Sequence, residues 1–524
     1  MSDELARAAR QAEALLARGE GDAYDCMVAA LGRAAKGDHE GAQALFDRAL
    51  ALDPGDPAIL TGLASWYRKD GRLSEAIRAC DAAIAAAPDY PDAWIERGAA
   101  YAAGGSSSVA RDSYARGAAL APGNAVAHAG FAALAARDGA LDAAREAALR
   151  ALNLDARNLV AAGALAAAAL EAGDPQAARE ALEPLLRGSE AGPDRPQALT
   201  LLANACERLG DHEAAFAYYA DAKADFAALH QEAARRYLPG HRFVEAILAG
   251  LEAVDPASWR VPLTDQSDPH PNHVFLIGYP RSGTTLVENV LASLPGVAAL
   301  EERPTLAAAD QRYLTGSEAA IVRGIADFAA LPPADLAPLR AAYWDKVHAA
   351  GVPREAAHFV DMDPMKGTRL PFIARLFPAA RVVIMRRDPR DVVWSCFKTA
   401  FAPTSGTLEY TTLERAARHY DALMRLTERA LEVLPLSAFE LDYRNLVTDF
   451  DATTHALCSF AGIPWSDDVR RFDRTAKARG VSTASAGQVR KGLYDGSGQW
   501  RPYARWLEPV LPILAPWIEK FGYA

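Results

Sequence analysis

Five glycines, Gly37, Gly71, Gly105, Gly139 and Gly173, recur at an interval of 34 residues, and Pro54, Pro88 and Pro122 keep the same interval. A strict period of this length marks stacked supersecondary units, each too small to bury its own apolar face and each completed by the next. Small side chains hold the phase: Ala42, Ala76, Ala110, Ala144 and Ala178 follow the glycines, and Ala49, Ala83, Gly117 and Ala151 come one to two turns later. Two antiparallel helices per repeat satisfy every one of these positions. Glycine permits the tight turn between them, small faces allow close approach, and proline closes the second helix because it cannot continue the hydrogen-bond ladder.

The run Trp94, Gly98, Tyr101, Gly105, Ala110 and Pro122 resembles the tetratricopeptide (TPR) pattern. Four to five units cover about residues 23–190, and a looser one, Leu201 to Ala222 with Gly210 at its turn, follows the insertion GSEAGPDRP. The resemblance implies a concave face that takes a protein or peptide partner; a purely structural or oligomerising arm is the alternative.

A chain of 524 residues is long enough for more than one domain. Its net charge of −11 is concentrated in residues 1–240, which carry 24 basic and 34 acidic side chains. The remainder is nearly balanced, so no domain has the basic footprint of a nucleic-acid binder, although a local anion pocket is compatible with this balance. No uncharged apolar stretch reaches membrane-spanning length, and the N-terminus reads as an amphipathic helix without a signal-peptide core; a soluble, cytoplasmic protein is expected. Cys26, Cys80, Cys206, Cys396 and Cys458 are scattered without a CxxC pair, and no metal constellation is present. The turn-rich stretch DPASWRVPLTDQSDPHPN marks a boundary, giving an expected repeat domain at 1–240, a linker at 241–268 and a second domain at 269–524.

In the second domain, His273 to Tyr279 (HVFLIGY) has the apolar character of a buried parallel strand, and PRSGTT follows before a helical pattern begins at Leu286. A strand, a glycine loop and a helix start in this order favour an anion, because unpaired amides and the helix dipole converge there. Gly278 and Gly283 are spaced as in a phosphate loop, yet Thr284 stands where an ATP- or GTP-binding loop carries lysine, and Arg281 lies inside the loop. This disfavours a P-loop phosphotransferase. The segment YPRSGTTL resembles the 5′-phosphosulfate loop of the sulfotransferases, whose donor is 3′-phosphoadenosine 5′-phosphosulfate (PAPS); the resemblance implies nucleotide contacts from Arg281, Ser282, Gly283, Thr284 and Thr285.

A second motif, RVVIMRRDPRDVVWS, puts Arg387 at a strand end and Ser395 about two turns up the next helix, where the two can clamp one phosphate. It resembles the family's 3′-phosphate site. LDYRNLV, with Tyr443, and SAGQVRK, with Ser485, Gln488 and Lys491, resemble stretches that border and close over the nucleotide. The similarity covers roughly residues 270–520 and extends to bacterial TPR-fused sulfotransferases and, more distantly, to protein-tyrosine sulfotransferases. It implies an α-helical TPR solenoid followed by an α/β P-loop-like sulfotransferase domain with a central parallel sheet.

Sulfuryl transfer to a hydroxyl needs an in-line acceptor, a base and positive charge at the departing phosphate. Arg281 and the amides near Thr284 and Thr285 suit the last role. Glu302, in LEERP and 21 residues after Arg281, matches the family's catalytic glutamate, with Glu301 as its competitor. In VDMDPMKG, Met362 stands where many relatives have a lysine that meets the leaving phosphate; Lys366, four residues on, is the expected substitute. Gln499 likewise replaces a basic residue before the late tryptophan. These two departures leave a second reading open, a TPR adaptor with a degenerate nucleotide domain. The acceptor is not legible in the sequence.

Overall fold

The structure, a computed structural model, describes residues 3–189, 191–260, 270, 272–479, 486–490 and 492–524. Chain contacts divide it into two compact units, Met1–Tyr218 and Tyr219–Ala524.

The first unit is a stack of helix pairs. Ala23–Ala34 pairs with His39–Leu52, Pro57–Lys69 with Leu73–Ala86, Pro91–Ala103 with Ser107–Leu120, Ala125–Arg137 with Leu141–Leu154, and Leu159–Glu171 with Pro175–Leu186. Each pair turns at one of the five periodic glycines, whose φ angles fall between 78° and 82°, a left-handed conformation in which any other residue is strained. Gly210, φ 80°, makes the same turn between Arg195–Arg208 and His212–Leu229. The in-phase alanines Ala42, Ala76, Ala110, Ala144 and Ala178 are fully buried where the helices meet.

Gly98 shows what the small positions do. A Cβ built there would stand 2.9 Å from the ring of Tyr114, which is itself buried between Gly98 and Gly130. Gly98→Ala should therefore lower the stability of the repeat unit by roughly 1–2 kcal/mol, overpacking outweighing the gain in helix propensity. A fall in the denaturant midpoint without a change in slope is the expected reading.

In the second unit, five parallel strands form one sheet in the order β2-β3-β1-β4-β5: β1 Asn272–Ile277, β2 Val297–Glu301, β3 His358–Met362, β4 Arg381–Arg386 and β5 Ser437–Asp442. β1 is central, with Val274 opposite both Val360 of β3 and Arg381 of β4. Both of its faces are covered, as its continuous apolar run requires. Val274 and Leu276 pack on Val287, Val290 and Leu291 of the helix that follows. His273 and Phe275 pack on Tyr343 and Phe377. The chain leaves β1 toward β2 on one side and later reaches β4 on the other, so the carboxyl end of β1 lies at a topological switch point, where such sheets bind ligands.

The boundary differs from the expected one. It falls inside His212–Leu229 rather than at residue 240, and much of the stretch expected to be a linker, 241–268, is built into the second unit. Gly240–Glu252 is an amphipathic helix that buries Val244, Ile247, Leu248 and Leu251 against Glu318–Ala329 and Leu413–Val433. Its first amide donates to buried Glu409 at 2.9 Å. The turn-rich residues that suggested a linker begin only after this helix. No helix among the described residues is long and apolar enough to cross a membrane.

Candidate active site

β1 ends at Ile277, and the loop that follows is drawn tight by close backbone approaches. A Cβ on Gly278 would lie 2.8 Å from the Ser282 hydroxyl and 3.1 Å from the Met385 carbonyl oxygen; one on Gly283, φ 110°, would meet the Tyr443 ring at 2.8 Å. Arg281 between them is held at φ 71°. The nine-residue helix Thr284–Ala292 then starts with Gly283 as its N-cap, a residue with no side chain to cap the first turn. Thr284 and Thr285 are buried at that start. The Ser282 amide donates to the Tyr279 carbonyl at 3.0 Å, and its side chain is buried within the loop.

The second cradle meets the first directly. Arg281 Nε donates to Ser395 Oγ at 2.9 Å, and Arg281 also donates to Gln488 Oε1 at 3.0 Å. Arg387, at the end of β4, donates to the Arg281 carbonyl at 2.9 Å and to the Gly496 carbonyl at 2.5 Å, with its guanidinium 4.6 Å from the Tyr443 ring. Arg281, Arg387, Ser395, Tyr443 and Gln488 thus line one cleft, together with Tyr494 and Gln499. Burial, with Arg387 adding its like charge, presses the Arg281 guanidinium below its ordinary pKa. An anion bound between the two arginines would relieve both effects. Ser485 and Lys491 lie outside the described residues.

Two features of the cleft were not anticipated from the sequence. Asp391 accepts the amides of Gly498, at 2.7 Å, and Trp500, at 3.1 Å, and so fastens the late loop beside the cleft. Tyr494 receives the Tyr443 hydroxyl on its carbonyl at 2.9 Å. The only hint of either was the turn-forming run GLYDGSGQW.

On the other side of β1, β2 delivers the acid pair. Glu301 lies on β2 opposite Met362, and Glu302 follows with φ 45° and its amide on the Met362 carbonyl at 2.7 Å. The Glu302 side chain is reached by solvent. The protein around it nonetheless desolvates the carboxyl, and Asp363, Glu301 and Glu288 add negative charge, so its pKa is pushed up to about 7, with Lys366 pulling the other way. Among the described residues, Arg281 and Glu302 are the non-glycine residues with positive φ.

The expectation that Lys366 reaches the departing phosphate is not matched by its contacts. Its ammonium is buried and bonded to Asp361 and, at 3.1 Å, to the Arg303 carbonyl. Asp361 is fully buried and also accepts from Tyr343 at 2.8 Å and Thr305 at 2.9 Å. A carboxylate removed from water in this way needs a cation, and Lys366 is the one that reaches it. Met362 contributes its side chain to the apolar core with Leu276 and Val287. Among the described residues no group of three or more metal-ligating side chains is assembled.

Comparison with known proteins finds two kinds of family model along the chain. Residues 271–467 match the model of the sulfotransferase family, and residues 33–103 and 164–230 match tetratricopeptide repeat models. An uncharacterized protein of Aquifex aeolicus is 31% identical over 272 residues, 49% of this chain and 34% of that protein; the chain thus spans about a third of that relative's length. Protein-tyrosine sulfotransferase 1 of Danio rerio is 25% identical over 279 residues, 48% of this chain and 72% of that one. Among solved structures, Pseudomonas aeruginosa pilF is similar at 16% identity with a TM-score of 0.34, covering 40% of this chain and 97% of its own.

Proposed function

From a chain that joins tetratricopeptide repeats to a sulfotransferase-family domain, we propose a PAPS-dependent sulfotransferase that modifies a hydroxyl, with the repeats presenting a protein or peptide that is the acceptor or carries it. The observation that carries this reading is the meeting of the two anion cradles in one cleft: Arg281 donates to Ser395, and Arg387 donates to the Arg281 carbonyl. One nucleotide with phosphates at both ends can span them.

In this reading Glu302 takes the proton of the acceptor hydroxyl as that oxygen bonds to sulfur, and the bond from sulfur to the 5′-phosphate oxygen breaks. The products are the sulfate ester and adenosine 3′,5′-bisphosphate. Arg281 and the amides at Thr284 and Thr285 hold the charge that grows on the departing phosphate, a role usually worth a few kcal/mol when donors are fixed in advance. Arg387, Ser395, Tyr443 and Gln488 hold the nucleotide. Lys366 acts through the Arg303 carbonyl, as a positioning residue beneath the Glu302 loop. The proposed location is the cytoplasm.

Isothermal titration with adenosine 3′,5′-bisphosphate and with ATP tests the donor. Preference for the bisphosphate is expected; tight ATP binding with no response to the bisphosphate would exclude it. Incubation with radiolabelled PAPS and a host lysate then shows whether protein or a small molecule becomes labelled. The burial of Lys366 and Met362 leaves one cation fewer at the leaving group and favours the adaptor as a second reading; bisphosphate binding without transfer to any acceptor would select it.

A further inference from the structure

Lys223, on the helix His212–Leu229 and within the second unit, is 7% exposed, yet among the described residues no carboxylate pairs with it. Its ammonium donates to the Thr399 carbonyl at 2.7 Å and stands 6.0 Å from the centre of the Phe401 ring. Burial of an ammonium without a counter-ion costs stability, so its use lies in what it holds. Thr399 closes the ten-residue helix Pro389–Lys398, whose last carbonyls find no amide in a following turn. The Thr399 hydroxyl donates to the Ser395 carbonyl at 2.6 Å, and Lys223 supplies the positive charge that the negative end of a helix favours. The cleft is assembled on that helix. Ser395 accepts from Arg281, Cys396 Sγ donates to the Pro280 carbonyl at 3.3 Å, and Asp391 accepts the late-loop amides of Gly498 and Trp500. One turn before Lys223, the Tyr219 ring meets Trp394 edge-on, with 5.7 Å between centroids.

We propose that Lys223 is a positioning residue for this cleft: its ammonium sets the end of the helix that carries Ser395 and Asp391, and loss of its proton weakens nucleotide binding. The inference rests on the donor reading above and adds to it a control by pH. Burial pushes the Lys223 pKa down to about 8, so its charge changes under mildly alkaline conditions. A neutral amine still donates a hydrogen bond to Thr399, but it gives up the charge that the helix end and an anion in the cleft both favour. Cys396 faces the ammonium from Pro389–Lys398, with the Arg281 and Arg387 guanidiniums also near that thiol. Burial pushes the thiol up to about 12, so it stays uncharged where Lys223 titrates. Since a bound nucleotide favours the protonated lysine, the reciprocal effect is an affinity that falls as the proton is lost.

Titration of the full chain with adenosine 3′,5′-bisphosphate at pH values on either side of about 8 tests the assignment. The parent's affinity should fall as pH rises through that value. Lys223→Met should bind roughly threefold to tenfold more weakly below it and show no fall above it. Lys223→Arg, whose guanidinium keeps its proton, should hold the parent's low-pH affinity across the range. Melting separates positioning from unfolding. With a folded-state pKa of about 8 against 10.5 unfolded, the unfolded chain binds more protons between the two, so the contribution of Lys223 to stability rises with pH while affinity falls. Should Lys223→Met lose the parent's circular dichroism, the arginine variant decides alone: a level profile supports the role and a retained fall overturns it. A level profile in the parent, a fall that persists in both variants, or parent-like binding by Lys223→Met would overturn the role of Lys223 and leave the donor reading intact. Failure of the unmodified protein to bind the bisphosphate at any of these pH values would overturn both.

Discussion

Glu302→Gln is expected to lower sulfuryl transfer by about 10²- to 10⁴-fold without loss of nucleotide binding, because the change removes a proton acceptor while keeping its shape. The backbone already marks this residue. A left-handed conformation costs a non-glycine residue roughly 1–2 kcal/mol, and such strain persists where the surrounding structure over-determines it. Here the Glu302 amide is tied to the Met362 carbonyl and the next carbonyl, that of Arg303, is tied to Lys366.

The pH dependence follows from the carboxyl pKa of about 7. As a base Glu302 works when ionised, so kcat/KM should rise as pH passes upward through about 7, and that limb should vanish in the glutamine variant. Stability moves the opposite way. A folded-state pKa above the unfolded value of 4.5 means that the native protein binds more protons than the unfolded chain between the two, so this group's contribution falls as pH rises through that window. Glu302→Gln should therefore melt no lower than the parent above pH 7, and slightly higher if the desolvation is felt at its exposed position. Glu301→Gln is the control. An unchanged turnover for Glu302→Gln, with a collapse for Glu301→Gln, would reassign the base.

The repeat half was the more legible because its constraint is geometric and recurs: each turn demands a left-handed residue, so glycine appears in phase at every one. The residues brought together in the cleft were legible for a related reason. Gly278 and Gly283 are required by backbone that a Cβ would foul, and Arg387 and Ser395 have a fixed spacing across a strand end and a helix. Residues whose roles depend on three-dimensional partners were not readable. Lys366 looked available because it is the cation nearest to Met362 in the chain. The carboxylate it neutralises, Asp361, gave no sign in the sequence that it would be buried. Pro364 also opens a 3₁₀ turn, Pro364–Arg369, so the four residues from Met362 to Lys366 do not make an α-helical turn. Tyr494 and Asp391 escaped because an irregular loop has no periodicity to read, and its fastening comes from a helix about a hundred residues earlier.

The consequence for Lys366 can be measured as stability. Lys366→Met is expected to destabilise the C-terminal unit by about 3–5 kcal/mol, the usual outcome when one partner of a buried pair is removed and the other charge is left uncompensated. No discount for solvent applies, since Lys366 is 3% exposed and Asp361 0%. The hydroxyls of Tyr343 and Thr305 would remain on Asp361 but carry no formal charge. Adding Asp361→Asn should recover much of the loss, because the amide needs no counter-ion and still accepts from Tyr343; the non-additivity of the pair is the signature of direct coupling. Denaturation has to be followed through a probe confined to the C-terminal unit, since a chain of two units need not melt in one step. A lysine acting at the leaving phosphate predicts the reverse pattern: Lys366→Met would keep its melting temperature and lose turnover, and Asp361→Asn would rescue nothing. If the double variant regains stability yet stays slow, the remaining deficit measures what the bond from Lys366 to the Arg303 carbonyl contributes to holding Glu302 in its left-handed conformation.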